Sequence, residues 1–376
     1  MIPGLERHPN ANAVLGPALP PAGSPSHAYL FHGPGGSGKR EIARAFAAAL
    51  LSAGEADEAS AHARALAGTH PDLTWVSPSG AHEILVSDID EPVVAAASKT
   101  PFESARRVFV IESADQLGDE SANRMLKTLE EPAPFVHLIL ITDRLAEVLP
   151  TIRSRCQAVR FEAPSLADLA AELERGGVPG DTAQAYARLS LGDAGLAREL
   201  AAPEGAVLRD RAQALVRRAL SGDAAGAAPW TGLLEAVRAR GERVRVELEE
   251  RAASEIALVP KREQKRVENE WSERVKRGRR RVETGALDLA LSLAETWLLD
   301  LAALAWDARD LVRNRDRLAE LEADSGEGRG NDPQALRRAV ELVEDTRLRF
   351  PLNVSEDLAC EALTYRLERV LGGPSK

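Results

Sequence analysis

The hydrophobic positions of residues 27–164 form short apolar runs of the kind that buried β-strands have. Polar residues, Gly or Pro end each run, and stretches with helical spacing of apolar residues separate them. Strands that alternate with helices predict a parallel sheet with flanking helices. The predicted strands are HAYLFHG at 27–33, HPDLTWVSP at 70–78, RRVFVIESADQL at 106–117, VHLILITD at 136–143 and QAVRFEAP at 157–164.

The rest of the pattern divides the chain into three parts. Residues 1–26 are rich in Pro, Gly, Ala and Asn, and GPALPPAGSPS at 16–26 predicts an extended surface segment before the first strand. After about residue 165 the strand patterns stop and the spacing of apolar residues is helical. We therefore predict an α/β domain at 1–164, a small helical domain at 165–204 and an all-α domain at 205–376.

Composition and charge argue against a general nucleic-acid binder, a cysteine-based metal or disulfide framework, and a membrane protein. The chain has 376 residues, 44% of them hydrophobic, and a net charge of −10, so a general affinity for nucleic acid is not indicated. Its two cysteines, Cys156 and Cys360, lie too far apart in sequence to predict a metal knuckle or a disulfide framework. With neither a signal-like N-terminus nor an apolar run of membrane-spanning length, we expect a cytoplasmic protein without membrane contact.

The first candidate site is the segment GPGGSGKR at 33–40, which lies between a predicted strand and a predicted helix. It matches the phosphate-binding loop G-x-x-x-x-G-K-[ST] except at its last residue. In such a loop backbone N–H groups surround a phosphate, and the lysine reaches the β- and γ-phosphates. The candidate nucleotide-binding residues are Gly33, Gly35, Gly36, Ser37, Gly38, Lys39 and Arg40.

Departures at two places, in the loop and after a buried strand, argue against hydrolysis. Arg40 replaces the hydroxyl residue that ligates Mg²⁺, and a guanidinium has donors only. After the buried strand VFVI, Glu112 stands where a metal-binding Asp is expected. Ser113 stands where a catalytic Glu is expected, and a hydroxyl is no general base at neutral pH. The sequence therefore predicts no turnover of ATP, and it leaves open whether ATP or ADP is held at rest.

Residues 106–165 carry a resemblance to a known family. NRMLKTLEEP at 123–132 and TIRSRCQAVRF at 151–161 resemble the clamp-loader subunits of bacterial DNA polymerase III, above all those of the delta-prime type, and SRC at 154–156 is the signature triplet of that family. The resemblance implies an AAA+ fold: an α/β P-loop domain, a helical lid and an all-α C-terminal collar domain. It weakens after about residue 210.

The same resemblance implies a role and partners. Members of the family form a ring that uses ATP to load a sliding clamp onto primed DNA. Delta-prime is the member that does not hydrolyse ATP, and its SRC arginine reaches the ATP site of a neighbouring gamma/tau subunit. Carried over to this chain, that arginine finger is Arg155, with Arg153 as the nearby competitor. The implied partners are gamma/tau and delta subunits, with the clamp and primed DNA reached through the complex.

The chain departs from the family pattern at two further places. Many relatives carry a four-cysteine zinc module before HPD at 70–72, but residues 50–69 contain no cysteine, so we predict no zinc. The lid arginine of hydrolysing relatives aligns with Gly195, and Arg198 is three residues further on. This loss favours the delta-prime type over the alternative, an active gamma/tau-like ATPase subunit.

The stretch 261–281 has ten basic and four acidic residues, which allows two interpretations. It is either a contact for nucleic-acid phosphates or, as we favour, a solvated helix with interspersed acidic residues. Cys156 is interpreted as a small buried residue of the SRC turn rather than a nucleophile.

Overall fold

A computed structural model describes residues 2–21, 23–78, 83–350 and 354–372. The chain folds into two compact units, Met1–Pro164 and Ser165–Lys376, called here the N-terminal unit and the helical unit. Within the described ranges, no helix is both long and apolar enough to cross a membrane.

The N-terminal unit is built on a parallel sheet with strand order β2-β3-β4-β1-β5. The strands are β1 (Ala28–His32), β2 (Leu73–Val76), β3 (Arg107–Ile111), β4 (Val136–Thr142) and β5 (Gln157–Arg160). The predicted fold class is confirmed in its architecture: an α/β domain with a parallel sheet and flanking helices is followed by a long helical region. All residues of β3 and β4 are buried, as their apolar runs predict for inner strands of a sheet covered on both faces.

The helices of the N-terminal unit cover the two faces of the sheet, where two separate apolar clusters form. They are α1 (Pro9–Leu15), α2 (Lys39–Ser52), α3 (Glu58–Ala67), α4 (Val86–Ile89), α5 (Asp119–Glu130) and α6 (Pro150–Arg153). A π-helical turn at Asp90–Ala95 continues α4. The segments that follow the strands start at the edge of this sheet, and they carry the residues of the candidate site.

The segment before β1 contains helical elements that the sequence did not predict, and of residues 16–26, predicted as extended, the first three form a 3₁₀ turn. A short 3₁₀ turn, Leu5–Arg7, and α1 occupy this segment, followed by another 3₁₀ turn at Gly16–Ala18. Leu5, Ala11 and Leu15 are buried in the cluster beside β1 and α2. Ala11 and Leu15 are four residues apart and share one face of α1, and burial of that face outweighs the weak helix propensity of Pro, Gly and Asn.

The HPD segment has a structural role in this unit. The Asp72 carboxylate is fully buried and accepts hydrogen bonds from the backbone N–H groups of Phe102, Glu103 and Ser104, at 2.7, 3.0 and 3.0 Å. A buried carboxylate needs such donors to offset its lost hydration. Asp72 thereby ties the loop before β3 to the start of β2.

The helical unit is formed by helices from residue 166 onward. These are α7 (Leu166–Arg175), α8 (Gly180–Leu189), α9 (Ala194–Ala201), α10 (Pro203–Ser221), α11 (Ala224–Ala227), α12 (Pro229–Leu258), α13 (Lys261–Ala305), α14 (Leu318–Ser325), α15 (Pro333–Arg349) and α16 (Glu356–Leu371). One apolar cluster runs from Leu169 on α7 to Leu371 on α16. Helices on both sides of residue 204 contribute to it, and the lid–collar boundary drawn there stays a prediction.

Helices α12 and α13 form a long antiparallel hairpin. Their buried residues join the main cluster of the helical unit only up to Val237 on α12 and only from Ala286 on α13. Further out, Ala252, Val267 and Trp271 form a small cluster of their own. Ion pairs of Arg240, Arg243 and Arg280 with other helices hold the base of the hairpin, and further out the buried apolar contacts are between its two helices.

Candidate functional site

Three strand ends meet at one edge of the sheet and assemble the candidate site. In a parallel sheet all carboxyl ends lie at the same edge, and ligands of open α/β sheets bind there. The loop 33–38 follows β1, Glu112 follows β3 and Asp143 follows β4. The neighbouring order β3-β4-β1 brings these three segments side by side.

The conformation of the loop after β1 depends on its glycines. Gly33, Gly36 and Gly38 have φ values of 150°, 66° and 81°, a region that side chains rarely tolerate. A Cβ on Gly33 would lie 2.3 Å from the carbonyl oxygen of Phe161, so glycine is required there. Helix α2 starts at Lys39, and its N-cap residue, Gly38, has no side chain to cap it.

The Lys39 ammonium is buried and fully engaged within the N-terminal unit. It donates to the carbonyl oxygens of Gly33 and Pro34 at 2.8 and 2.6 Å and to Ser37 Oγ at 3.1 Å. Its Nζ also lies 2.7 Å from Asp143 Oδ1. Asp143 was not among the residues predicted from the sequence; the signal for it was a carboxylate directly after an inner strand next to β1.

Arg40 and Glu112 form an ion pair, with Arg40 Nη2 2.6 Å from Glu112 Oε1. Trp75 Nε1 donates to the same oxygen at 2.7 Å, and Ser77 Oγ donates to Oε2 at 2.9 Å. The Glu112 carboxylate is mostly buried, while Arg40 is largely exposed. The two residues that depart from the P-loop pattern are thus direct partners, which spacing along the sequence alone did not reveal.

These residues do not fit a Mg²⁺ ion. The metal needs oxygen ligands in near-octahedral order, and Arg40 offers none. Glu112 already accepts three donors on its two oxygens. Ser113 adopts the left-handed conformation, with φ 54°, directly after Ile111 and Glu112 at the end of β3. No step that runs through a metal at this loop is consistent with this arrangement.

Arg155 lies directly after α6 and is partly exposed. Its Nε donates to Glu130 Oε1 at 2.9 Å, and its Nη2 donates to the same oxygen. Its Nη1 donates to the Thr151 carbonyl at 2.9 Å and to Ser154 Oγ at 3.2 Å. At least four of its five N–H groups are therefore engaged inside the chain. The role of Glu130, at the end of α5, was not apparent from the sequence.

The lid position predicted to lack an arginine lies on α9. Gly195 is in its first turn, and Arg198 one turn later donates through Nε and Nη2 to Glu172 Oε1 at 2.8 and 2.6 Å. Arg198 thus has an acceptor within the helical unit.

The described ranges contain no group of three or more His, Cys, Asp or Glu side chains that could hold a metal ion. His70 is buried, its Nδ1 accepts the Asp72 N–H at 3.2 Å, and its Nε2 lies 3.2 Å from Glu103. His70 is thus buried between Asp72 and Glu103. The absence of zinc stays a prediction.

Cys156 is expected to be unreactive in the folded chain. Burial raises the pKa of the Cys156 thiol from 9.0 to about 12. Burial, with Glu356 and Asp357, does the same for the pKa of Cys360. A raised pKa lowers the thiolate fraction, so alkylation at pH 8 is expected to be roughly a thousandfold slower than in the unfolded chain and to speed up with rising pH. Timed labelling with and without denaturant measures this, and equal rates would contradict it.

The basic stretch 261–281 lies on α13. Several of its charges are paired along the helix: Arg266 with Glu270, Lys276 with Glu273 and Arg279 with Glu283, at 2.8, 3.0 and 2.8 Å. Trp271 is buried against α12 and offers no ring face for stacking with a base. These contacts favour the solvated-helix interpretation.

Comparison with known proteins bears on the N-terminal unit. The family model described as "DNA polymerase III, delta subunit" matches residues 20–165. The DNA polymerase III subunit delta' of Pseudomonas aeruginosa is 36% identical over 169 residues, which are 44% of this chain and 51% of that protein. The subunit delta' of Bacillus subtilis is 38% identical over 141 residues, 36% of this chain and 42% of that protein.

A gamma subunit-related protein of DNA polymerase III from Thermotoga maritima is similar with a TM-score of 0.42 and 15% identity, covering 92% of this chain and 95% of that one. The chain spans about half the length of the curated relatives it matches. Over residues 20–165 this chain is therefore similar to DNA polymerase III subunits of the delta' type.

Proposed function

We propose that this chain is a delta-prime-type clamp-loader subunit that supplies Arg155 in trans to the ATP site of a neighbouring subunit and does not hydrolyse ATP itself. The observation that carries the proposal is the Arg40–Glu112 ion pair, 2.6 Å long, where hydrolysis would require a metal. A subunit that has lost its own chemistry can still contribute through a surface arginine, and the SRC turn provides one.

The surroundings of Arg155 suit such a role. An arginine that reaches a transferring γ-phosphate stabilises its charge and accelerates the reaction by about 10³–10⁵-fold in P-loop systems. Here the guanidinium is held by Glu130, whose side chain is 49% exposed. A phosphate of a neighbouring subunit can therefore replace a solvent-accessible carboxylate without any buried charge being uncovered.

The partners follow from this role. We propose that gamma/tau and delta subunits are its ring neighbours, that the sliding clamp and primed DNA are reached through the complex, and that the complex works in the cytoplasm. Arg153, which is exposed on α6, is the competing candidate for the finger and serves as a control.

The isolated chain is expected to show no ATP hydrolysis above background. Without a metal-binding hydroxyl at residue 40 and a general base at residue 113, neither the phosphate charge nor the attacking water is activated. A phosphate-release assay on the purified chain with Mg²⁺ and ATP measures this, with Lys39→Ala as the control.

Turnover of about one per second that Lys39→Ala abolishes would contradict the proposal. That result would favour the alternative, a gamma/tau-like ATPase subunit. Turnover that persists in Lys39→Ala would instead identify a contaminating ATPase.

A further inference from the structure

The Arg40–Glu112 ion pair joins the two positions that hold the metal ion in a P-loop protein. The residue after the loop lysine normally ligates Mg²⁺ through its hydroxyl, and a carboxylate after an inner strand binds the same ion. In this chain the first position carries a cation of its own and the second carries its counter-charge, 2.6 Å apart. An ion pair that includes a guanidinium is thus fixed beside the loop as part of the polypeptide.

Glu112 is built to hold this cation. Its two oxygens offer about four acceptor positions, of which Arg40, Trp75 and Ser77 use three. The donors from Trp75 and Ser77 come from β2 and the residues after it and orient the carboxylate. A divalent cation would have to displace these donors and lie next to a guanidinium of like charge.

The phosphate-binding part of the loop is intact. Gly33, Gly36 and Gly38 keep the positive φ values of a glycine-rich turn, and Lys39 lies against the loop, with its ammonium on the carbonyl oxygens of Gly33 and Pro34. No side chain caps the start of α2, a helix of 14 residues, so its first N–H groups and its positive end face the loop.

We propose that the Arg40–Glu112 ion pair takes the place of the metal ion, so that residues 33–40 bind the phosphates of a nucleotide without a divalent cation. Lys39 and the backbone N–H groups hold the phosphates, and the Arg40 guanidinium, with Glu112 as its counter-charge, occupies the place that Mg²⁺ has elsewhere. The inference concerns the isolated chain and does not depend on the role proposed for Arg155.

Asp143 adds a second element to this site. Its carboxylate lies 2.7 Å from Lys39 Nζ and competes with any phosphate for that ammonium. Since Asp143 is exposed on the loop after β4, it can move aside without a cavity forming in the core. Removing its charge, as in Asp143→Asn, is expected to strengthen phosphate binding about tenfold, because Lys39 then has no competing anion and only the neutral acceptors of the loop to leave.

The experiment is calorimetric titration of the purified chain with ADP, once in excess EDTA and once in excess Mg²⁺. We expect binding in EDTA, with a Kd that Mg²⁺ changes by less than about twofold after correction for free MgADP. The double variant Arg40→Ser with Glu112→Asp restores the usual metal ligands and is expected to gain about tenfold or more in affinity from Mg²⁺.

Two further variants serve as controls. Arg44→Ser removes an arginine one turn further along α2, 4.6 Å from the Trp75 ring, and is expected to leave binding independent of Mg²⁺. Arg40→Lys keeps the charge and is expected to do the same, which gives a readout if the double variant does not fold.

Three outcomes would overturn the inference. The first is a gain of about tenfold or more from Mg²⁺ in the unaltered chain. The second is the absence of ADP binding in EDTA up to millimolar concentration, and the third is a folded double variant that remains indifferent to Mg²⁺. Paramagnetic resonance with Mn²⁺ and ADP tests the same point directly, because the unaltered chain is expected to show no protein-bound Mn²⁺.

Discussion

Replacing Arg155 by alanine in a reconstituted clamp loader is expected to slow ATP hydrolysis at the neighbouring subunit's site by about 10³-fold or more. The guanidinium would stabilise charge on the γ-phosphate in the transition state, and a methyl group cannot. Because Arg155 is only partly buried and its contacts are with Glu130, Ser154 and the Thr151 carbonyl, its loss is expected to leave folding and ring assembly intact. Single-turnover hydrolysis stimulated by primed DNA measures the effect.

Two matched variants show whether the effect belongs to the finger. Arg155→Lys keeps the charge but loses the planar fork, and we expect it to restore only a small part of the rate. Arg153→Ala removes the neighbouring arginine and is expected to leave the rate within about twofold of the unaltered loader. If Arg155→Ala hydrolyses ATP at the normal rate, or if Arg153→Ala is the slow variant, the assignment of the finger is wrong.

Replacing Asp316 by alanine is expected to destabilise the helical unit by about 3–5 kcal/mol, because it leaves a buried arginine without its counter-charge. Arg209 on α10 is fully buried, and its Nη1 and Nη2 donate to the two carboxylate oxygens of Asp316, both at 2.7 Å. Asn314 accepts from the Nε and Nη2 of Arg209 at 3.1 and 2.6 Å but carries no charge. The expected fall in melting temperature is roughly 6–20 °C for a unit of this size.

Denaturant unfolding followed by tryptophan fluorescence measures this loss. Four of the chain's five tryptophans, at 230, 271, 297 and 306, lie in the helical unit, so the signal reports mainly on it. The control is Glu341→Ala, which breaks an exposed ion pair with Arg337 and is expected to cost less than about 0.5 kcal/mol. A loss in Asp316→Ala as small as that in the control would mean that the buried pair contributes nothing.

The sequence predicted those parts of the fold and site that depend on local pattern. The inner strands β3 and β4 were recognisable because both faces are covered, which makes their residues apolar without alternation. The loop at 33–40 was recognisable because glycine spacing and the lysine are requirements of the backbone itself. The roles of its residues, and of Arg155, stay predictions.

What the sequence did not predict depends on contacts between distant segments. Asp143 faces Lys39, and Glu130 faces Arg155, because of strand order and helix packing that no local pattern encodes. The pairing of Arg40 with Glu112 is of the same kind: each departs from the loop pattern by itself, and only the sheet brings them together. The helix at 9–15 was missed because its two buried residues are few compared with the Pro and Gly around them.

The outer part of the α12–α13 hairpin extends beyond the main apolar cluster of the helical unit, so a rotation at its base is amplified at its tip. About 21 residues of α12 lie beyond Val237, and at 1.5 Å per residue the tip at Val259 and Pro260 is about 30 Å from the main apolar cluster. A tilt of about 10° at the base would displace the tip by about 5 Å. A spectroscopic label at the tip would therefore convert rotations of the helical unit too small to see at its core into distances that are easily resolved.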